Sequence, residues 1–305
     1  MKTDNLLICI VGVLLILPAT GLNPYYLAIL ITGLIIVLFT LSWDLIGGIC
    51  GQISLGHALF FGVGSYGFAL MSTLLPLPLT LFLTLILSCA IALFTGIFAI
   101  RLRGGFFALF TLALAETAHE VSMNLPISLG TNFSMGGEGG IPFLSGAGIL
   151  DKSALTREYY IYFFLVIAAV YGMRRFLATP WGLKTKSVSA NELLSASCGV
   201  RTERIKLGAY VVSALLAALC GILLVIHTGR ATPHDFSLEL SFQAATLAAV
   251  GGRGRVTGPA VAAFSITTLF SLLEIAPPIR MALYAIVLPF IFLKIPRTLF
   301  HALKG

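Results

Sequence analysis

Few residues in this chain are of a type that does chemistry, and their spacing limits what they can do. Glu116-Thr117-Ala118-His119-Glu120 carries the Glu-x-x-His spacing that supplies two ligands to di-iron centres in helical bundles. Such a centre needs a second Glu-x-x-His pair beside further helix carboxylates, and the sequence has no second pair. It also lacks His-Glu-x-x-His, Gly-x-Ser-x-Gly and Gly-x-x-x-x-Gly-Lys-[Ser/Thr]. Zinc hydrolysis, a serine nucleophile elbow and phosphate-loop chemistry therefore have no motif here. Asp44 and Glu116 remain as acids inside apolar runs. An ionised group in such a place is costly and faces a cavity, a partner side chain or a pathway. The densest polar and glycine-rich stretch is Gly47-Gly48-Ile49-Cys50-Gly51-Gln52-Ile53-Ser54-Leu55-Gly56-His57-Ala58. Repeated glycine lets helices approach closely. It also breaks them, freeing backbone groups to hold a polar solute at mid-membrane. Gly251-Gly252-Arg253-Gly254-Arg255-Val256-Thr257-Gly258-Pro259 is a similar stretch without the strand–turn–helix context of a nucleotide site, and reads as a tight turn between helices. The two stretches echo each other weakly, as parallel repeats or as chance.

The elements that must position these residues follow from composition. The chain has 305 residues, 58% hydrophobic and only 10% charged. Its mean hydropathy is +1.01. Soluble domains are ~25% charged. This balance excludes a soluble enzyme, a disordered chain and a nucleic-acid-binding domain, despite a net charge of +7 and a pI near 9.3. The fold class it implies is an all-α polytopic membrane protein. Apolar runs lie at 6–22, 26–46, 53–75, 77–100, 105–122, 159–177, 207–228, 238–251, 257–275 and 279–295. They are too long for ~10-residue barrel strands, so helices are expected, eight to ten crossing the bilayer. The runs at 53–75, 105–122 and 238–251 are candidates for broken or re-entrant segments. The first run loosely resembles a signal peptide and is expected to stay as an uncleaved helix.

If the N-terminus lies inside and the runs alternate, only Lys152, Arg157, Arg230 and Arg280 fall outside, leaving 15 of the 19 basic residues inside. That bias accounts for the positive charge, puts both termini in the cytoplasm, and requires no nucleic-acid partner. Residues 123–158 then form an outside loop and 178–206 the main inside loop of a single transmembrane domain spanning 1–305. Of the five cysteines, Cys9, Cys50, Cys89 and Cys220 lie in or beside apolar runs, where a thiol packs as a small hydrophobe, and Cys198 lies in a polar segment.

Gly51-Gln52-Ile53-Ser54-Leu55-Gly56-His57-Ala58, followed by Phe60-Phe61-Gly62, resembles the signature of branched-chain amino-acid ABC transporter permeases. Further blocks resemble that family in its order: Arg103-Gly104-Gly105-Phe106-Phe107-Ala108 with Thr111-Leu112-Ala113 and Glu116; Gly136-Gly137-Glu138-Gly139-Gly140-Ile141-Pro142; Thr179-Pro180-Trp181-Gly182 with Asn191-Glu192, Ala196 and Gly199-Val200; and Gly251-Gly252-Arg253-Gly254 with Gly258-Pro259. The resemblance covers about residues 40–295, and the long outside loop with one large inside loop favours the M-type (LivM-like) subunit. The inside loop reads Ser187-Val188-Ser189-Ala190-Asn191-Glu192, lacking the family's usual Arg, and Phe106 replaces a Tyr.

The resemblance implies a bacterial inner-membrane permease subunit of an ATP-driven importer of branched-chain amino acids, with no catalytic residue, metal or cofactor of its own. It implies a second, H-type permease, two ATPase subunits that use the ATP, and an extracytoplasmic substrate-binding protein. Residues 187–200 are expected to form a coupling helix, with Asn191, Glu192, Ala196 and Gly199 at the ATPase. Gln52, Ser54, His57 and Glu116 are expected along the substrate path. Gly51, Gly56, Gly104, Gly137, Gly252 and Gly254 are the family-motif glycines. Rival readings are an ion-gradient-driven carrier, a permease for urea or short amides, and a membrane enzyme using Glu116 and His119.

Overall fold

The computed structural model describes residues 18, 23–102, 104–124, 126–128, 134–143, 152–274 and 276–294. Apart from Pro18, the first apolar run lies outside these residues, as do Cys9, Arg103 and both chain ends. Every other apolar run is a helix. In chain order they are α1 (Pro24–Asp44), extended by a π turn (Leu45–Ile49), α2 (Ala58–Ser72), α3 (Leu77–Ala99), α4 (Gly105–Asn124), α5 (Lys152–Ala178), α6 (Pro180–Ala190), α7 (Glu192–Ser197), α8 (Thr202–Thr228), α9 (Leu238–Gly251), α10 (Thr257–Leu272) and α11 (Pro277–Lys294). The chain is an all-α, multi-pass membrane protein.

Among the described residues, Pro24–Ile49, Leu77–Ala99, Ser153–Ala178 and Thr202–Thr228 are long and apolar enough to cross a bilayer, while Ala58–Ser72, Thr257–Leu272 and Pro278–Val287 are shorter. The 15 residues of α2 reach only about 22 Å at ~1.5 Å per residue. The run at 53–75 is thus broken at its start, where residues 51–56 are not helical. By contrast, the run at 105–122 is one unbroken helix of 20 residues. α8 begins at Thr202, within the stretch 178–206 expected as the inside loop. α5 begins at Lys152, well inside the expected outside loop.

α8 is central and packs on α1, α2 and α3, while α10 packs on α1 and α9. Small residues allow this closeness. A Cβ on Gly64 would lie 2.1 Å from the Ala218 carbonyl oxygen, and one on Gly221 would lie 2.0 Å from the Phe61 carbonyl oxygen. The backbones of α2 and α8 therefore touch reciprocally. Around this seam Trp43, Phe39, Phe60, Phe61 and Tyr210 are fully buried.

In the stretch between α4 and α5, β1 (Pro126–Ser128) pairs antiparallel with β2 (Ser134–Gly136), and β3 (Ile141–Pro142) pairs with β4 (Arg230–Ala231) just after α8. Phe143 N also donates to Gly229 O at 2.9 Å. The sequence showed only a loop here, because these strands are two or three residues long and carry no periodic pattern.

Candidate functional site

The break between α1 and α2 is built from its glycines. A Cβ on Gly48 would lie 1.9 Å from Asp44 Oδ1 and 2.6 Å from Gly254 N. Asp44 Oδ1 accepts the Gly254 amide at 2.8 Å, just ahead of the α10 N-terminus, where a carboxylate is favoured by the helix dipole. The two glycine-rich stretches that echo each other in sequence are thus packed on each other. Val256, buried and β-branched, closes the turn with φ +57°, a conformation held only where its surroundings over-determine it.

Past the π turn, the chain runs non-helically against α4. A Cβ on Gly56 would fall 1.7 Å from the Thr111 carbonyl oxygen. Leu55 N donates to Thr111 Oγ1 at 3.1 Å. The Trp43 indole N–H donates to Ser54 O at 2.7 Å. Ala58 N, an orphan donor at the start of α2, reaches Ser241 Oγ of α9 at 2.9 Å. A helix break inside a membrane is tolerated where neighbouring side chains satisfy its freed backbone groups. Here Thr111, Trp43 and Ser241 do so for three of them.

The expected path residues separate into two pairs. His57 is buried, and its ring stacks on Phe39 at 5.5 Å between centroids. Ser42 Oγ spends its proton on Phe39 O at 2.7 Å. It must therefore accept from His57 Nε2 at 2.9 Å, which assigns the proton of the imidazole to Nε2. Ser213 Oγ of α8 donates to Ser42 O at 2.8 Å, closing a polar knot between α1, α2 and α8. Ser54 is buried as well. Gln52 and Glu116 are only half-buried. Neither has a side-chain hydrogen bond or ion pair among the described residues. One turn beyond Glu116, His119 Nδ1 donates to the Pro233 carbonyl at 2.9 Å, holding α4 to the Pro233–Phe236 turn rather than pairing with Glu116.

The inside loop is two helices, not the single coupling helix expected over 187–200. Thr179 caps α6, its Oγ1 accepting from Gly182 N at 3.2 Å. Asn191, in an extended conformation with φ −159°, ends α6 and starts α7, its Oδ1 accepting from Leu194 N at 3.0 Å. Competition from such a side chain for backbone donors is what divides the helix. Gly199, at φ +81°, lies just past the end of α7 in the left-handed conformation that glycine accepts most readily. Ala196 is exposed. Glu192 turns toward the protein, where its Oε2 lies 2.7 Å from Nζ of Lys206, a side chain that is 2% exposed.

This loop touches the break directly. A Cβ on Gly51, which has φ +78°, would lie 2.6 Å from Ser189 Oγ of α6. Trp181 of α6 packs on α8 at Gly208, where a Cβ would meet the indole at 2.5 Å. The opposite face of the loop carries exposed Leu183, Leu193 and Leu194. Of the other motif glycines, Gly252 packs near Arg255, Gly137 starts the Gly137–Gly139 turn, and Gly104 has open space around it. The sequence reading missed Lys206 as a partner. Its spacing to Tyr210, Ser213 and Ala217 on one face of α8 was the available signal. Thr111, Ser213 and Ser241 looked like ordinary hydroxyls in apolar helices.

The family described as branched-chain amino acid transport system / permease component matches residues 25–293, which take in the break, both loops and the Asp44 turn. The high-affinity branched-chain amino acid transport system permease protein LivM of Escherichia coli (strain K12) is 26% identical over 242 residues, covering 72% of this chain and 57% of that protein. LivM of Salmonella typhimurium gives the same figures. The ribose import permease protein RbsC of Bacillus subtilis (strain 168) is 33% identical over 97 residues, 30% of each chain. The chain therefore spans little more than half the length of the LivM relatives it matches. No solved structure matches it.

Proposed function

Because the chain belongs to the branched-chain amino-acid transport permease family, we propose that it is the membrane subunit through which an ATP-driven importer passes branched-chain, hydrophobic amino acids. A second, H-type permease completes the path, two ATPase subunits hydrolyse the ATP, and an extracytoplasmic binding protein delivers the solute. The chain binds no cofactor itself, and it sits in the bacterial inner membrane with both termini in the cytoplasm.

The observation that carries this reading is the contact of the inside loop with the broken helix at Ser189 and Gly51. An ATPase seated on exposed Leu183, Leu193 and Leu194 moves α6 and α7. The Glu192–Lys206 pair, anchored in α8, makes α7 and α8 move together. The 51–56 segment then shifts against Thr111 of α4, alternating access to the two sides. Gln52 and Glu116 are the side chains left to meet the charged ends of the solute, while Ser54 and His57 keep the break in shape. The outer strands clamped to the end of α8 receive the binding protein.

The test is uptake of radiolabelled leucine by vesicles holding the chain and the subunits that co-purify with it. Uptake should require ATP on the cytoplasmic side and survive collapse of the proton and sodium gradients. Leu193→Glu should remove ATPase co-purification and uptake while leaving the thermal midpoint of the chain unchanged. Gradient-driven uptake by the chain alone would instead establish the secondary carrier.

A further inference from the structure

Two clefts open beside α1. One, of about 340 Å³, lies between α1, α5 and α8 and is lined by apolar groups from Leu38 to Cys220, with no charged side chain. The other, of about 290 Å³, lies between α1, α5 and α10 and has a cation at one end, Arg174. From the second cleft we infer a binding site for one anionic phospholipid of the inner leaflet, its acyl chain in the cleft and its phosphate at Arg174.

The cleft has the length and polarity of one leaflet. Along α5 it is lined from Phe163 to Arg174, which is about 16 Å at ~1.5 Å per residue. Half of a bilayer's hydrocarbon core is about 15 Å. The α5 and α10 walls agree on direction. α5 runs inward, so Phe163 lies near mid-membrane and Arg174 at the cytoplasmic end. α10 runs outward, so Thr257 lies level with Arg174 and Ser265 lies deep. Leu34, Val37, Val166, Val261 and Phe264 supply an apolar wall between these ends.

The charge at the inner end is available. Arg175 is engaged with Tyr171, its Nε donating to the phenol oxygen at 2.9 Å and its guanidinium lying 5.3 Å from the ring centroid. Arg174 is exposed and has no hydrogen-bond or ion-pair partner among the described residues. Arg255, also exposed, stands two residues before Thr257. Basic groups between helices on the cytoplasmic side hold anionic lipid headgroups, whereas the cleft without a cation selects no headgroup. This site rests on the membrane orientation alone and not on the transported solute.

The experiment purifies the full chain, with whatever subunits accompany it, from mixed phosphatidylglycerol and phosphatidylcholine nanodiscs into mild detergent. Retained lipid is counted by native mass spectrometry. Phosphatidylglycerol should be retained over phosphatidylcholine. Arg174→Gln should lower its retention about fivefold, the effect of one basic side chain at an anionic surface. Val261→Trp, which fills the cleft and keeps the charge, should lower it as well, with uptake and folding monitored in parallel. Equal retention of both lipids, or retention unchanged in both variants, would overturn the site. Cross-linking of Val261→Cys to a co-purified permease subunit would also overturn it and give the cleft to that subunit.

Discussion

The spans Pro24–Ile49 and Ser153–Ala178 have the same length, 26 residues, and mean hydropathies of 2.3 and 1.6, yet 89% of the first span's most apolar window is buried in the protein and only 17% of the second's. The two are equally fit to cross a bilayer and differ in what surrounds them. In lipid, apolarity gives helices no reason to prefer one another over acyl chains, so packing and buried hydrogen bonds decide which ones associate. α1 has Gly33 against Thr268, Gly48 against Gly254, and Ser42 tied to His57 and Ser213. α5 has Gly172 with nothing within 4 Å, and it turns Ile161, Phe164 and Tyr171 outward.

Substituting glycine breaks this contrast most strongly. Gly221→Ala should force α2 from α8 at Phe61 and cost about 3 kcal/mol or more, the upper end for overpacking. Gly172→Ala, in open space on α5, should change stability by less than about 1 kcal/mol and favour the helix. Thermal midpoints in mild detergent compare the two. Next in size is Glu192→Gln, which leaves Lys206 buried without its counter-charge. The expected cost is about 2 kcal/mol, below the ~3–5 kcal/mol of a fully buried pair because Glu192 reaches water. The double variant Glu192→Gln/Lys206→Met should recover most of it. Asp44→Ala should cost about 1.5 kcal/mol, one charge-assisted hydrogen bond to Gly254, with faster amide exchange in the 252–256 turn as the readout.

The smallest effect lies at the turn before α9. The hydrogen bond from His234 to Glu239, 3.3 Å long, raises the His234 pKa above its ordinary 6.5. Protonated His234 is therefore favoured in the folded state. Its contribution is complete below about pH 6.5 and is lost as pH rises through the raised pKa. His234 is exposed, so solvent screens the pair and the loss should stay below about 0.5 kcal/mol. His234→Gln should flatten the dependence of the thermal midpoint on pH over that window.

Much of this was legible in the residues. Runs of about twenty apolar residues named the helices, because no other unclosed backbone can satisfy itself in lipid. Gly47 to Gly56 pointed to either close packing or a break, since glycine repeats at that density weaken a helix and narrow its profile, and the chain does both there. The division of the inside loop at Asn191 was missed, although an Asn three residues before Leu194 is a helix-start signal. The strand pairs were missed because segments this short have no period to read.

What the sequence alone determined is the membrane class, the runs that become helices and the neighbourhood of the break before α2. These depend on transfer free energy and on local backbone preference, both carried by neighbouring residues. Only the tertiary structure decided that Asp44 meets Gly254, that Ser241 caps α2, and that Glu192 turns inward to Lys206. Those contacts join residues up to 210 positions apart. Which polar groups meet at that distance depends on how the helices rotate and cross, and a one-dimensional pattern of apolar runs does not contain those angles.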